Sequence, residues 1–203
     1  MGVLSEIWQV WLVADEWIGT VLGLLAVWLL VREDWRTWPV GVAYVFVSIT
    51  VLVEARLYAN LALHLVGFLT MNLYGWYYWR VGGAKDGDVP VTRASVRMLV
   101  TLAVACAAGT AAFGAWLAGG TDAALPFWDS GILVMSLAAF LLSARKHLEN
   151  WIVWFVVDVI SVGVYFAQGL PLYALLYFVY LGMAVWGYRS WRRSMLEGAA
   201  APA

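Results

Sequence analysis

The chain has 203 residues, of which 64% are hydrophobic and 12% are charged, and its formal net charge is −1. A soluble domain of this size carries about twice that charged fraction, so the composition excludes a soluble globular protein and indicates a polytopic membrane protein. The single cysteine, Cys106, excludes an intramolecular disulfide. Two histidines argue against a metal centre, and we expect no cofactor and no nucleic-acid partner.

Residues 1–16 form an amphipathic N-terminal segment, in which Trp8 and Trp11 alternate with Glu6 and Asp15. This pattern is typical of a segment that lies on the membrane surface, and the segment is too short to span the bilayer. The first residues lack a basic region and a small-residue cleavage site, so we expect no cleaved signal peptide.

Seven apolar stretches follow, and each approaches the ~20 residues that a spanning helix needs. The predicted helices are 17–31, 39–54, 57–79, 97–118, 128–144, 150–168 and 171–191. The one long connection, 80–96, is polar and glycine-rich and is predicted to be a cytoplasmic loop. Residues 194–203 form a short C-terminal tail.

The distribution of basic residues predicts the orientation, because cytoplasmic loops carry an excess of Lys and Arg. With the N-terminus outside, only Arg56 lies on the outer side. The inner side then carries Arg32, Arg36, Arg80, Lys85, Arg93, Arg97, Arg145, Lys146, Arg189, Arg192 and Arg193. The predicted C-terminus is therefore cytoplasmic.

The chain also carries signs of an internal duplication. Leu57-Tyr58-Ala59 opens the third helix as Leu172-Tyr173-Ala174 opens the seventh, and each helix closes on a Gly-x-x-x-Trp motif, ending at Trp79 and at Trp191. These matches predict two parallel three-helix repeats, 17–79 and 119–193, joined by a connecting helix at 97–118. Transporters commonly bind substrate near the midplane between such repeats.

The third helix carries one polar and aromatic face. His64, Asn72, Trp76 and Trp79 fall within an arc of roughly 120° at about 100° per residue. Polar groups inside a bilayer face a protein interior or a cavity, so this face is predicted to be one wall of a substrate pocket. Two alternatives remain open: an interfacial aromatic belt for Trp76 and Trp79, and a structural, hydrogen-bonded His64.

The sixth helix carries a second such face. Trp151, Trp154, Asp158, Ser161 and Tyr165 project within an arc of about 80°. An intramembrane carboxylate indicates a functional site, and aromatic faces attract cations. We therefore expect Asp158 to contact a polar or cationic substrate. The alternative is a protonated Asp158 that only hydrogen-bonds neighbouring helices.

Three further aromatic residues are candidate contacts: Tyr44 in the second helix, Trp128 at the outer end of the fifth, and Tyr177 in the seventh. Enzymatic chemistry finds little support, because no Ser-His-Asp arrangement, paired carboxylates or phosphate loop is present. A membrane enzyme that uses His64 and Asp158 as an acid–base pair remains an alternative. A purely structural or sensory membrane protein is another.

Three motifs resemble those of a known family, the Pnu vitamin transporters, and are closest to its PnuC nicotinamide riboside transporters. The motifs are Asn72-x-Tyr74-Gly75-Trp76-Tyr77-x-Trp79, Pro126-Phe127-Trp128-Asp129-Ser130 and Arg145-Lys146-x-x-Glu149-Asn150-Trp151. The resemblance implies a 3+1+3 helix fold similar to SWEET sugar transporters, in a bacterial cytoplasmic membrane. It also implies facilitated diffusion, trapping of the vitamin by a cytoplasmic kinase, and a homotrimer.

Three positions depart from the nicotinamide riboside pattern of that family. His64 stands in place of a glutamine, and Asp158 and Tyr44 each stand in place of an asparagine. An acidic residue is compatible with the cationic pyridinium of nicotinamide riboside and equally compatible with thiamine. Riboflavin and deoxynucleosides are further alternative substrates. In the predicted pocket Trp76, Trp79 and Trp154 enclose the ring. Asn72, His64 and Tyr177 hydrogen-bond the substrate, and Asp158 stabilises its positive charge.

Overall fold

The computed structural model of the protein describes residues 3–54, 64–82, 89–121, 125–169 and 171–200. For 3–16, 50–52 and 54 it describes the backbone alone. The predicted beginning of the third helix at 57–63, the central part of the polar loop and Arg56 lie outside these ranges.

Almost all of the described chain is helical, which confirms the predicted all-α class. The helices are α1 Val3–Val31, α2 Thr37–Glu54, α3 Leu69–Val81, α4 Val96–Gly120, α5 Pro126–Ala144, α6 Asn150–Ala167 and α7 Pro171–Ala200. A π-helical turn, His64–Phe68, runs directly into α3. Within the described ranges, β pairing is limited to one parallel bridge between Thr92 and His147.

Each of the seven α-helices in the described residues overlaps one of the predicted spans. Among the described residues, α4, α5, α6 and α7 are long and apolar enough to cross a membrane, and Trp17–Val31 and Thr37–Ile49 are shorter apolar stretches.

Two predicted boundaries differ from the structure. The N-terminal segment is not separate from the first helix, because no glycine or proline interrupts the chain between Val3 and Ile18 and α1 is continuous. The predicted C-terminal tail is helical as far as Ala200, and Arg193 pairs with Glu197 one turn along at 2.7 Å.

Six helices pack in a closed ring in the order α1, α2, α3, α5, α6, α7, and α7 returns to α1. α4 packs closely on α5 and lies outside this ring, with only 6% of its apolar stretch buried. The ring encloses the interior in which the polar residues of α3 and α6 meet.

The loop that precedes α4 is anchored on the turn between α5 and α6. The Thr92 N–H donates to the Lys146 carbonyl at 2.9 Å, and the Leu148 N–H donates to the Thr92 carbonyl at 2.9 Å. The Ala94 N–H donates to the Glu149 carboxylate at 2.8 Å. The part of the loop next to α4 is therefore held against the second half of the chain.

Four buried tryptophans lie in the hydrophobic core, and we call them the tryptophan cluster: Trp38, Trp79, Trp151 and Trp191. Trp38 meets Trp79 edge to face at 5.4 Å between ring centroids, and Trp151 meets Trp191 in the same way at 5.5 Å. Trp79 and Trp191 lie 6.0 Å apart. The same edge-to-face contact between two tryptophans thus occurs once in each half of the chain.

The glycines of the two Gly-x-x-x-Trp motifs explain this packing. A Cβ atom on Gly75 would meet the Trp38 ring at 2.5 Å, and a Cβ on Gly187 would meet the Trp151 ring at 2.5 Å. Glycine is required at both positions because the indole lies directly against the helix backbone.

We expect Gly75→Ala and Gly187→Ala each to lower the free energy of unfolding by about 1–3 kcal/mol, the usual effect of overpacking. Thermal unfolding in detergent measures this change. Gly182→Ala is the matched control, because a Cβ on Gly182 meets nothing within 4 Å. Equal midpoints for all three variants would contradict the packing described.

Candidate functional site

A cavity of about 210 Å³ lies inside the helix ring. All six ring helices and the π-helical turn contribute to its wall, and α4 does not. Its lining is Gly23, Ala26, Val27, Leu30, Thr37, Trp38, Gly41, Tyr44, Phe68, Asn72, Ser136, Phe140, Ser143, Trp151, Trp154, Val157, Asp158, Tyr177, Tyr180 and Ala184. Most of this wall is apolar or aromatic, with a few polar groups, as is usual for a small-molecule site.

Asp158 is the only acidic residue among the described residues that line the cavity. Its side chain is 4% exposed, and α6 presents it on the buried face, away from the exposed Ile152, Val156 and Val159. Among the described residues its carboxyl group has no ion-pair or hydrogen-bond partner. A buried carboxylate gains most from an opposite charge, so the cavity favours a cation.

Asn72 presents an amide to the cavity from the first turn of α3. Its Nδ2–H donates to the Phe68 carbonyl at 2.8 Å, and the side chain is 4% exposed. A Cβ atom on Gly41 would run into this amide, so the glycine makes the room that Asn72 occupies.

An aromatic wall faces these polar groups. Phe140 meets Trp154 edge to face at 5.2 Å and Phe68 at 5.5 Å. The Trp154 indole N–H donates to the Ser143 hydroxyl at 3.3 Å, and that hydroxyl lies 3.2 Å from the Asn150 amide oxygen. The orientation of the Trp154 ring is therefore set by α5 as well as by α6.

Tyrosines complete the lining on the α2 and α7 side. Tyr177 stacks on Tyr165 at 5.2 Å and meets Tyr180 edge to face at 5.8 Å. The Tyr180 hydroxyl lies against Gly23 of α1. The lining phenols of Tyr44, Tyr177 and Tyr180 can hydrogen-bond the hydroxyl groups of a ligand.

Taken together, the groups in the cavity can bind a flat, polar, positively charged ring. Aromatic faces attract cations, Asp158 supplies the opposite charge, and Asn72 supplies both a donor and an acceptor. In the described parts of the chain no three His, Cys, Asp or Glu side chains are placed to hold a metal ion.

Five of the nine predicted contact residues line the cavity: Tyr44, Asn72, Trp154, Asp158 and Tyr177. The other four are placed elsewhere. Trp76 stacks on Trp35 at 6.3 Å near the end of α3, and Trp128 is 55% exposed in the first turn of α5. His64 packs against the rings of Tyr44 and Phe68, behind two lining residues.

Trp79 is also outside the cavity. Its indole N–H donates to the Ala144 carbonyl at 3.0 Å, and its ring lies under the Lys146 ammonium at 4.5 Å. It lines a separate cleft at the ends of α1 and α3.

The π-helical turn accounts for the position of His64. Its hydrogen bonds span five residues rather than four, so each residue of the turn advances by less than the 100° of an α-helix. The prediction that His64 and Asn72 lie on the same face assumed 100° throughout. Neither composition nor periodicity indicates such a turn.

Several lining residues were absent from the predicted contacts. Ser136, Phe140 and Ser143 lie on one face of α5 at i, i+4 and i+7, a spacing that the sequence does show. The main other lining residues outside the predicted contacts are Thr37, Trp38, Phe68, Trp151 and Tyr180. Trp38 and Trp151 have buried indole N–H groups without a hydrogen-bond partner among the described residues.

The comparison with protein families decides the class of this protein. The model of the family described as "Nicotinamide mononucleotide transporter" matches residues 13–193. The chain belongs to this family. The predicted resemblance to the Pnu transporters is confirmed, and the protein is a membrane transporter rather than an enzyme.

Individual relatives agree with this family. The nicotinamide riboside transporter PnuC of Escherichia coli is 28% identical over 207 residues, which cover 90% of this chain and 86% of that protein. The riboflavin/roseoflavin transporter RibM of Streptomyces davaonensis is 33% identical, and the match covers 92% of each chain. The crystal structure of a vitamin B3 transporter PnuC shares the fold, with a TM-score of 0.69 at 23% identity over 97% of this chain and 94% of that one.

We expect Ser143→Ala to lower the free energy of unfolding by about 1 kcal/mol, because the N–H of the partly buried Trp154 loses its acceptor. Ser136→Ala is the control. The Ser136 hydroxyl also lies at the cavity, but among the described residues it bonds only to the Ile132 carbonyl of its own helix, at 2.7 Å. Thermal unfolding of the two variants compares them, and an equal loss would show that Ser143 does not anchor Trp154.

Proposed function

We propose that this transporter takes up nicotinamide riboside by facilitated diffusion through the cavity around Asp158. The observation that carries the proposal is an acidic side chain, 4% exposed and without a cationic partner among the described residues, inside an aromatic cavity. The pyridinium ring of nicotinamide riboside is a flat cation. It can pair with the Asp158 carboxylate and stack on the aromatic side chains at the same time.

The proposed contacts follow from the lining. Asp158 stabilises the positive ring, and Trp154 packs on it. Asn72 pairs with the carboxamide, since an amide offers both a donor and an acceptor. Tyr44 and Tyr177 hydrogen-bond the ribose. Trp76, Trp79, His64 and Trp128 have no direct contact with the substrate in this proposal.

Two parallel repeats, α1–α3 and α5–α7 joined by α4, are the proposed moving parts. The closed ring, the position of α4 outside it and the repeated tryptophan–glycine contacts support this SWEET-like arrangement. Rocking of one half against the other would expose the cavity to each side in turn. We place the N-terminus outside and the C-terminus in the cytoplasm, because Lys and Arg concentrate at one end.

Facilitated diffusion gives net uptake only if the free vitamin is removed on the cytoplasmic side. Phosphorylation by a cytoplasmic kinase would add negative charge to the vitamin, and an acidic, largely apolar cavity disfavours an anion. By resemblance to the family we also propose a homotrimer in the bacterial cytoplasmic membrane.

Thiamine is also a cationic aromatic vitamin and satisfies the same chemistry. Riboflavin is the second candidate, because RibM matches 92% of this chain at 33% identity. Riboflavin is neutral, so it would draw no benefit from the charge of Asp158. The dependence of binding on that charge therefore separates riboflavin from the two cations.

We expect purified protein to bind nicotinamide riboside saturably, and Asp158→Asn to weaken binding roughly ten- to a hundredfold, because it removes a charge-assisted contact. Titration calorimetry with nicotinamide riboside, thiamine and riboflavin measures the affinities. Asp129→Asn is the control, since that carboxyl group lies exposed in the first turn of α5. Tight riboflavin binding that is unchanged by Asp158→Asn, with no binding of nicotinamide riboside, would overturn the proposed substrate.

A further inference from the structure

We infer that Trp79, Trp191, Glu33 and Lys146 form a gate that closes the cavity at the end of the molecule where α1 and α5 end. This inference rests on the proposed transport through the cavity. It assigns to these four residues the control of access rather than contact with the substrate.

The first element of the gate is a pair of reciprocal hydrogen bonds between the two halves of the chain. The Trp79 N–H, in α3, donates to the Ala144 carbonyl of α5 at 3.0 Å. The Trp191 N–H, in α7, donates to the Leu30 carbonyl of α1 at 2.9 Å. Each half therefore holds the end of the other half's first helix, and both donors and both acceptors are buried.

The second element is an ion pair that also joins the halves. The Lys146 ammonium lies 3.2 Å from the Glu33 carboxylate and 4.5 Å from the centre of the Trp79 ring. The Lys146 side chain is 5% exposed, which is unusual for a lysine. Its charge is thus held between an opposite charge and an indole face.

The backbone at both charged residues supports a functional role. Glu33 and Lys146 follow the ends of α1 and α5, with φ of 58° and 51°. They are the only non-glycine residues with positive φ in the described ranges. Strained backbone of this kind persists where the surrounding structure holds it, and it concentrates at functional and switch sites.

These four residues lie between two open spaces. On one side is the cavity, whose lining includes Leu30, Trp38 and Trp151. On the other is a cleft of about 730 Å³, whose lining includes Leu29, Glu33, Trp79 and Lys146. The adjacent residues Leu29 and Leu30 thus line different spaces, and the gate occupies the layer between them.

The arrangement explains how the gate would open as a unit. The bond of Trp79 crosses the contact between α3 and α5, and the bond of Trp191 crosses the contact between α7 and α1. These are the two places where the helix ring passes from one half to the other. Rotation of one half against the other would lengthen both bonds and separate Glu33 from Lys146, and the cavity would then join the cleft.

The test measures access to the cavity without any substrate. Cys106 is replaced by alanine, and Ala26, which lines the cavity, is replaced by cysteine as a reporter. The rate of modification by a membrane-impermeant methanethiosulfonate is then measured in inside-out and right-side-out vesicles. In this background Trp79→Phe and Trp191→Phe each remove one indole N–H and keep an aromatic ring.

We expect each tryptophan variant to raise the modification rate roughly two- to tenfold, the effect of losing one hydrogen bond on the closed state. The increase should occur in inside-out vesicles only. Trp186→Phe, a half-exposed residue of α7 that makes neither gate bond, is the matched control and should leave the rate unchanged. Unchanged rates for Trp79→Phe and Trp191→Phe, or an equal rise for Trp186→Phe, would overturn the gate.

The ion pair is tested in the same background by Glu33→Gln, Lys146→Met and the double variant. If Glu33 and Lys146 close the cavity through their ion pair, removing either charge already breaks the pair. The double variant should then raise the modification rate no more than the single variant with the larger effect, because the effects of interacting residues are not additive. Independent, additive effects would remove the ion pair from the gate. Since cysteine modification needs no vitamin, a failure of nicotinamide riboside to bind leaves this result untouched.

Discussion

Two indole rings packed directly on helix backbone are the contact on which the rest of this structure depends. Trp38 of α2 lies on Gly75 of α3, and Trp151 of α6 lies on Gly187 of α7, with no side chain between the indole and the helix backbone. Burial of each indole side chain removes roughly 150–250 Å² of accessible surface from contact with solvent or lipid. The same close approach brings Trp79 and Trp191 together at the centre, where each reaches the opposite half.

The polar residues inside the ring lie at two depths. Asp158 and Asn72 lie in the cavity, where a hydrocarbon environment would be unfavourable for them and a ligand is the available polar partner. Lys146 and Glu33 lie at the helix ends and satisfy each other. In the proposed transport cycle, the Asp158 carboxyl group would contact the substrate, and the Glu33–Lys146 ion pair would close the cavity at its boundary.

The family and the fold leave the substrate open, because function depends on the site and not on the scaffold. The relatives PnuC of Escherichia coli and RibM of Streptomyces davaonensis bear the names of different vitamins and match this chain over similar lengths. The charge of the cavity is therefore more informative than percentage identity. Asp158 favours a cation, and a neutral ligand would leave its carboxylate without a partner.

Helical periodicity in the sequence was sufficient to predict the all-helical membrane fold and the buried stripe of α6. The glycine–tryptophan motif that occurs in both halves was found instead by matching short stretches of the sequence. The angle between successive residues of a regular helix predicted the faces of α3 and α6 on which Asn72 and Asp158 lie, and the structure places both side chains at one cavity. Periodicity failed at His64, where the π-helical turn changes the phase of the helix.

The depth of each ring and its partner in the other half were decided only by the tertiary structure. Trp79 shares a helical face with Asn72, yet it lies about 10 Å further along α3 and bonds to a carbonyl 65 residues away. Trp191 bonds to a carbonyl 161 residues away. Local sequence determines the direction in which a side chain projects from its helix. The packing of the two halves decides whether that side chain meets the cavity, the lipid or the end of another helix.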